Sequence, residues 1–154
     1  MPEDKLRVLI AEDRFYPDIA DELLAGAGDA LSAFGAEFNV VSTPSAFELP
    51  AAVALAHEAM HRPAGVRYDG YVALGCVIRG ETTHYDYVCG ESARGLMDLS
   101  ISKHLAIGYG ILTVEDEDQA WARARRSEGD KGGFAARACL DMIALKRRLF
   151  GQIR

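Results

Sequence analysis

His84 sits inside a glycine-bracketed turn, where a proton-transfer group and an anion site would lie about one helical turn apart. The turn reads Gly75-Cys76-Val77-Ile78-Arg79-Gly80-Glu81-Thr82-Thr83-His84-Tyr85-Asp86-Tyr87-Val88. It follows the apolar run Tyr71-Val72-Ala73-Leu74, which has the pattern of a buried strand. After it, Val88, Ser92, Leu96 and Leu99 recur at helical spacing. Open α/β sheets bind ligands at the carboxyl ends of their strands, in turns of this kind. The helix start offers free N–H groups and the positive end of a dipole to an anion. A histidine's ordinary pKa keeps both protonation states within reach near neutrality. The same spacing also fits a plain strand-to-helix turn with His84 as a capping or packing residue, and the glycines alone leave both readings open.

Alternating strands and helices must hold that turn. Leu6–Ala11 is an apolar, β-branched run and reads as the first strand. Pro17 suits the first turn of a helix carrying Ile19, Leu23, Leu24, Ala27, Leu31 and Phe34, which stops at Gly35. Phe38–Val41 is a second strand, and a helix follows from Phe47 or Pro50 to His61. Strand three is Gly70–Ile78, and its helix extends to about Lys103. Strand four is Ala106–Val114. The acidic turn Glu115-Asp116-Glu117-Asp118 starts another helix, where carboxylates suit the dipole. Beyond Gly129 a last helix carries Phe134, Ala138, Met142, Leu145 and Leu149. This alternation predicts an α/β, flavodoxin-like three-layer sandwich, with a four-stranded parallel sheet flanked by helices.

At 154 residues the chain is expected to form one domain, 1–154, large enough for a core without disulfides or metal. A net charge of −6 gives no electrostatic case for nucleic-acid binding. Cys76, Cys89 and Cys139 are odd in number and lack CxxC spacing, which suggests neither a disulfide framework nor a zinc knuckle. Met1-Pro2-Glu3-Asp4-Lys5 has no signal-peptide pattern, and no run approaches the roughly 20 apolar residues of a membrane span. The expectation is a reduced, cytoplasmic protein.

Two motifs point elsewhere. His57-Glu58-Ala59-Met60-His61 matches HExxH, the zinc-protease pattern. On a helical wheel Leu49, Val53, Ala56 and Met60 form the apolar stripe, with the two histidines about 90° from its centre. No downstream block supplies an obvious third ligand, so no metal is expected. Val8-Leu9-Ile10-Ala11-Glu12-Asp13 looks like the first strand and acidic pair of a phospho-receiver. The end of strand three, Leu74-Gly75-Cys76-Val77, lacks the aspartate such a domain phosphorylates, and Asp69 is at the wrong end.

The turn from Gly75 to Val88 resembles the central signature of the lumazine synthase family almost residue for residue. Arg14-Phe15, Ala46-Phe47-Glu48-Leu49-Pro50, Gly110-Ile111-Leu112-Thr113-Val114-Glu115 and Asp130-Lys131-Gly132 match in order, so the resemblance spans about residues 7–147. It implies condensation of 5-amino-6-(ribitylamino)uracil with 3,4-dihydroxy-2-butanone 4-phosphate to 6,7-dimethyl-8-ribityllumazine. Imine formation, loss of phosphate, ring closure and dehydration need no metal or redox cofactor.

The resemblance assigns the proton shuttle to His84. It implies phosphate contacts from the backbone N–H groups around Glu81 and Thr82 and from Arg123, whose fork suits phosphate oxygens. Phe15 would stack on the pyrimidine, with Tyr109 a second aromatic face. Ala46, Phe47 and Glu48 would contact the ribityl chain and ring, Cys76, Val77 and Ile78 the ring, and Lys131 the ribityl or phosphate end. It further implies a homo-oligomer, often a pentamer, in which Tyr109, Arg123 and Lys131 come from a neighbouring subunit. Tyr16, Ser45, Tyr109 and Asp130 depart from the commonest family pattern without removing a reacting group. They leave open a family member that binds the pyrimidine or a flavin but turns over poorly.

Overall fold

The period-two alternation of the strands and the three-to-four spacing of the segments between them settle into a layered sheet. The computed structural model describes residues 5–151, and the acidic start Met1–Asp4 lies outside them. In order the elements are β1 (Arg7–Asp13), α1 (Pro17–Phe34), β2 (Glu37–Thr43), a short 3₁₀ turn (Ala46–Glu48), α2 (Leu49–Ala59), β3 (Gly70–Ile78), α3 (His84–Ser102), β4 (Ile107–Val114), α4 (Glu117–Ala124) and α5 (Lys131–Leu149). The strands are parallel in the order β2-β1-β3-β4. This is the expected three-layer α/β sandwich.

Successive strand residues point to opposite faces and build two cores. Val8, Ile10, Val72, Leu74, Leu112 and Val114 pack beneath α1, α4 and α5. Leu9, Ala11, Tyr71, Ala73 and Ile111 pack beneath α2 and α3. Each large apolar side chain so buried contributes about 1.5–3 kcal/mol. Local signals bound α1 and open α4 where the sequence predicts, while α2 stops at Ala59, two residues short of the expected His61. Pro17 opens α1, Gly35 closes it in the left-handed region, and the Asp116 side chain accepts from Gln119 N–H at 2.9 Å.

Packing overrules periodicity in α5. Its buried face is Gly132, Gly133, Ala135, Ala136, Cys139, Leu140 and Ile143. Phe134, Met142 and Leu149, from the more conspicuous stripe, are exposed, as is Phe34 of α1. The cause is distance: small residues let α5 lie close against β4 and α1, which bulky side chains would prevent. Gly108 on β4 marks the closest approach, because a Cβ there would run into the Ala135 carbonyl oxygen. Gly108→Ala is therefore expected to destabilise the chain by about 1–3 kcal/mol, the usual range for overpacking. Chemical denaturation against the parent chain measures this, and an unchanged midpoint would refute the close approach.

Candidate active site

β1 and β3 are neighbours in the sheet, yet the chain leaves them toward opposite faces, into α1 and α3 respectively. Such a switch point opens a crevice beyond the carboxyl ends of the strands. A cavity of about 130 Å³ occupies it. The β1 exit contributes Asp13, Phe15 and Tyr16, and the β3 end contributes Cys76, Val77 and Ile78. Ser45 and Ala46 close one side, and His84 and Val88 of α3 the other.

Each wall is fixed by local chemistry. The guanidinium of Arg14 ties the loop bearing Phe15 to the buried Glu12 carboxylate at 2.9 Å and to Asp21 on α1. A buried carboxylate needs such a partner, since leaving its charge unpaired costs several kcal/mol. Phe15 is thereby held with its ring 65% exposed and edge-on to Tyr16, at 5.0 Å between centroids. Ser45 caps the 3₁₀ turn: its hydroxyl accepts from Phe47 N–H at 3.2 Å and donates to the Glu48 carboxylate at 2.6 Å. The hydroxyl thus caps the turn while Glu48 holds it in place, which sets Ala46 against the cavity. Arg79 pins the β3–α3 turn, with Nε 2.7 Å from the Glu115 carboxylate and its guanidinium over the Tyr85 ring.

His84 is the first residue of α3, exposed, with its N–H donating to Thr82 Oγ1 at 3.3 Å. The N–H groups of Glu81 and Thr82 donate to no acceptor among the described residues. Together with the dipole of the 19-residue α3 they form a site suited to an anion next to the imidazole.

The buried carboxyl of Asp13 is the feature that sequence reasoning did not assign to the site. Asp13 is 3% exposed. Its Oδ1 accepts from Phe15 N–H at 3.2 Å, while Oδ2 is buried with no partner among the described residues. Burial raises its pKa from 3.8 to about 6, opposed by the Phe15 N–H and by the Cys76 N–H, which lies nearby without forming a well-aligned bond, and reinforced by the charges of Glu12 and Glu48. Gly75 makes room for it, since a Cβ there would collide with Oδ2. The Glu12-Asp13 pair was legible as a strand-end motif, but its burial was not. Cys76 is no nucleophile, because burial first and then Asp13 push its thiol up to about 12.

The structure thus brings together Phe15, Ala46, Cys76, Val77, Ile78 and His84 of the predicted residues, with Glu81 and Thr82 in the turn leading into His84. Phe47 and Glu48 lie on the 3₁₀ turn beside Ala46 but do not line the cavity. Tyr109 is on β4, packed against the core beneath α2 and α3. Arg123 is exposed on α4, with Nη1 donating to the Gln119 carbonyl at 3.0 Å. Lys131 opens α5, its Nζ 4.7 Å from the Phe134 ring centroid. Within one chain these last three do not reach the cavity. His57 and His61 stand edge-on at 6.0 Å between ring centroids, and no group of three or more His, Cys, Asp or Glu that could hold a metal ion occurs among the described residues.

Fold and crevice define a parallel α/β sandwich with a cavity at its switch point, bordered by a histidine and by N–H groups suited to an anion. Comparison with known proteins makes this specific. The family model described as 6,7-dimethyl-8-ribityllumazine synthase matches residues 5–147. A Rhizobium meliloti protein named 6,7-dimethyl-8-ribityllumazine synthase 1 is 60% identical, covering 94% of both chains. The synthase of Agrobacterium fabrum is 58% identical, over 96% of this chain and 99% of its own length. That of Methylorubrum populi is 62% identical, over 92% of this chain and 83% of its own. The chain belongs to the 6,7-dimethyl-8-ribityllumazine synthase family, and with it to the transferases of riboflavin biosynthesis. Among the described residues no helix is long and apolar enough to cross a membrane.

Proposed function

We propose that this chain, acting as one domain over 1–154, condenses 5-amino-6-(ribitylamino)uracil with 3,4-dihydroxy-2-butanone 4-phosphate to 6,7-dimethyl-8-ribityllumazine and phosphate. The observation that carries this reading is the convergence of Phe15, the end of β3 and His84 on one crevice, beside unpaired N–H groups at the start of α3. Phe15 stacks on the flat pyrimidine while Cys76, Val77 and Ile78 line its edge. The N–H groups of Glu81 and Thr82 receive the phosphate. His84 moves protons during imine formation and elimination of phosphate. The unpaired oxygen of Asp13 meets an N–H of the pyrimidine. Family membership favours this enzyme over a binding module that turns over poorly.

The cavity of one chain is small for two substrates, and Tyr109, Arg123 and Lys131 lie outside it. In the proposed assembly, a cytoplasmic homopentamer, these three come from the adjacent subunit, with Arg123 completing the phosphate site. Exposed Leu55, Met97 and Ile101 on α2 and α3 provide apolar surface for subunit contact, as monomers seldom leave such patches uncovered. Arg123→Gln is expected to raise KM for the butanone phosphate about 10- to 100-fold, the worth of one charge-assisted hydrogen bond of roughly 1.5–3 kcal/mol. Dissociating and mixing Arg123→Gln with His84→Ala chains should then restore part of the rate, followed by lumazine fluorescence. Mixed oligomers that stay as slow as either parent would place the whole site within one chain.

A further inference from the structure

We infer that a second ligand site lies at the amino end of the sheet, and that it takes a phosphate monoester. The cavity there, of about 330 Å³, is enclosed by the start of β3, the end of α2 and the last turns of α5. That volume lies within the range of ordinary small-molecule sites. The seven-residue step from Tyr71 to Ile78 sets it roughly 23 Å from the crevice that holds His84, and the two cavities share no residue.

Its charge is unbalanced. Arg67, Lys146 and Arg147 line it against a single carboxylate, Asp69. Both oxygens of Asp69 are already held, Oδ1 by Arg147 Nη2 at 3.1 Å and Oδ2 by the backbone N–H of Arg7 at 2.9 Å. Arg67 and Lys146 have no acidic partner among the described residues. In a chain of net charge −6, two unpartnered cations on one cavity are a local reversal of sign. An anion restores the balance, and phosphate fits because an arginine fork and a lysine point charge bind it together.

A buried hydroxyl points to a ligand independently. Tyr71 is 2% exposed, lines the cavity, and its OH has no hydrogen-bond partner among the described residues. Burial raises its pKa to about 12, so it remains a neutral donor. A buried polar atom left unpaired costs about 1–3 kcal/mol, a cost that a ligand oxygen would remove. The Tyr68 ring, 6.1 Å from that of Tyr71 and tilted by 57°, completes the wall with Met60.

Phenyl phosphate is the probe, titrated calorimetrically into the full-length assembled protein. Arg67→Gln combined with Lys146→Gln is expected to weaken one class of binding at least tenfold while leaving the rate of lumazine formation unchanged. Tyr71→Phe keeps the ring and its packing, and should weaken the same class about three- to tenfold, the usual worth of one hydrogen bond. Arg123→Gln should leave that class intact. Binding that survives the double variant unchanged, or that disappears entirely in Arg123→Gln, overturns the site. Inorganic phosphate binding there as tightly as phenyl phosphate overturns the monoester.

Discussion

His84→Ala is expected to slow lumazine formation by about 10²–10⁴-fold, the usual contribution of one positioned acid–base group. The effect falls on kcat, because the imidazole acts on protons that move during the reaction, while Phe15 and the N–H groups of Glu81 and Thr82 go on holding the substrates. The variant should stay above the uncatalysed background, since bringing two reactants together is itself a large part of catalysis. Its stability should be unchanged, as His84 is exposed and none of its bonds made through the side chain is needed to cap α3. Fluorescence of the product, read beside a thermal melt, separates chemistry from folding. A parental rate in a folded His84→Ala chain would remove the histidine from the mechanism.

The second large effect concerns Asp13, where the molecule gives up stability to keep a carboxylate in its crevice. A folded-state pKa of about 6 against 3.8 means that the folded chain binds this proton more tightly than the unfolded one. Stability from Asp13 is therefore greatest below about pH 4 and falls as pH rises through 6, levelling off above it. The difference corresponds to roughly 3 kcal/mol at neutral pH. Asp13→Asn keeps the shape and removes the charge. It is expected to stabilise the chain by about 1–3 kcal/mol at pH 7–8 and by almost nothing near pH 4. It should at the same time raise KM for the ribitylaminouracil, because an amide cannot match a carboxylate as acceptor for a pyrimidine N–H. Urea unfolding at several pH values tests the first part, and steady-state kinetics the second. A stability gain independent of pH would show that the Asp13 charge is not what burial opposes. Such a trade of stability for function is common at ligand sites.

Gly75 extends the same argument, since its missing side chain is the space Asp13 occupies. A strand glycine at that point reads in sequence as a turn signal. Its packing reason appears only when β1 and β3 are set side by side with Glu12 opposite Leu74. The Arg14-Phe15 pair was visible as a motif, but the division of labour was not: Arg14 clamps the loop to Glu12 and Asp21, and Phe15 is the ring left free.

Sequence by itself determined the alternation of four strands and five helices, the parallel sheet, the Gly75–Val88 turn with His84 at the helix start, and the family. These depend on near-neighbour physics: period-two and period-3.6 patterning, Pro17 and Gly35 at helix ends, and a contiguous motif whose spacing fixes its own geometry. Tertiary structure alone decided which face of α5 is buried, because the choice between Phe134-Met142-Leu149 and Ala135-Cys139-Ile143 depends on how close β4 and α1 come. It alone decided that Asp13 is nearly sealed from water and that Tyr71 has an unpaired hydroxyl at the far end of the sheet. It also set Tyr109, Arg123 and Lys131 away from the crevice of their own chain. Burial, charge balance and the reach of a side chain depend on residues distant in the chain, which a local pattern does not encode.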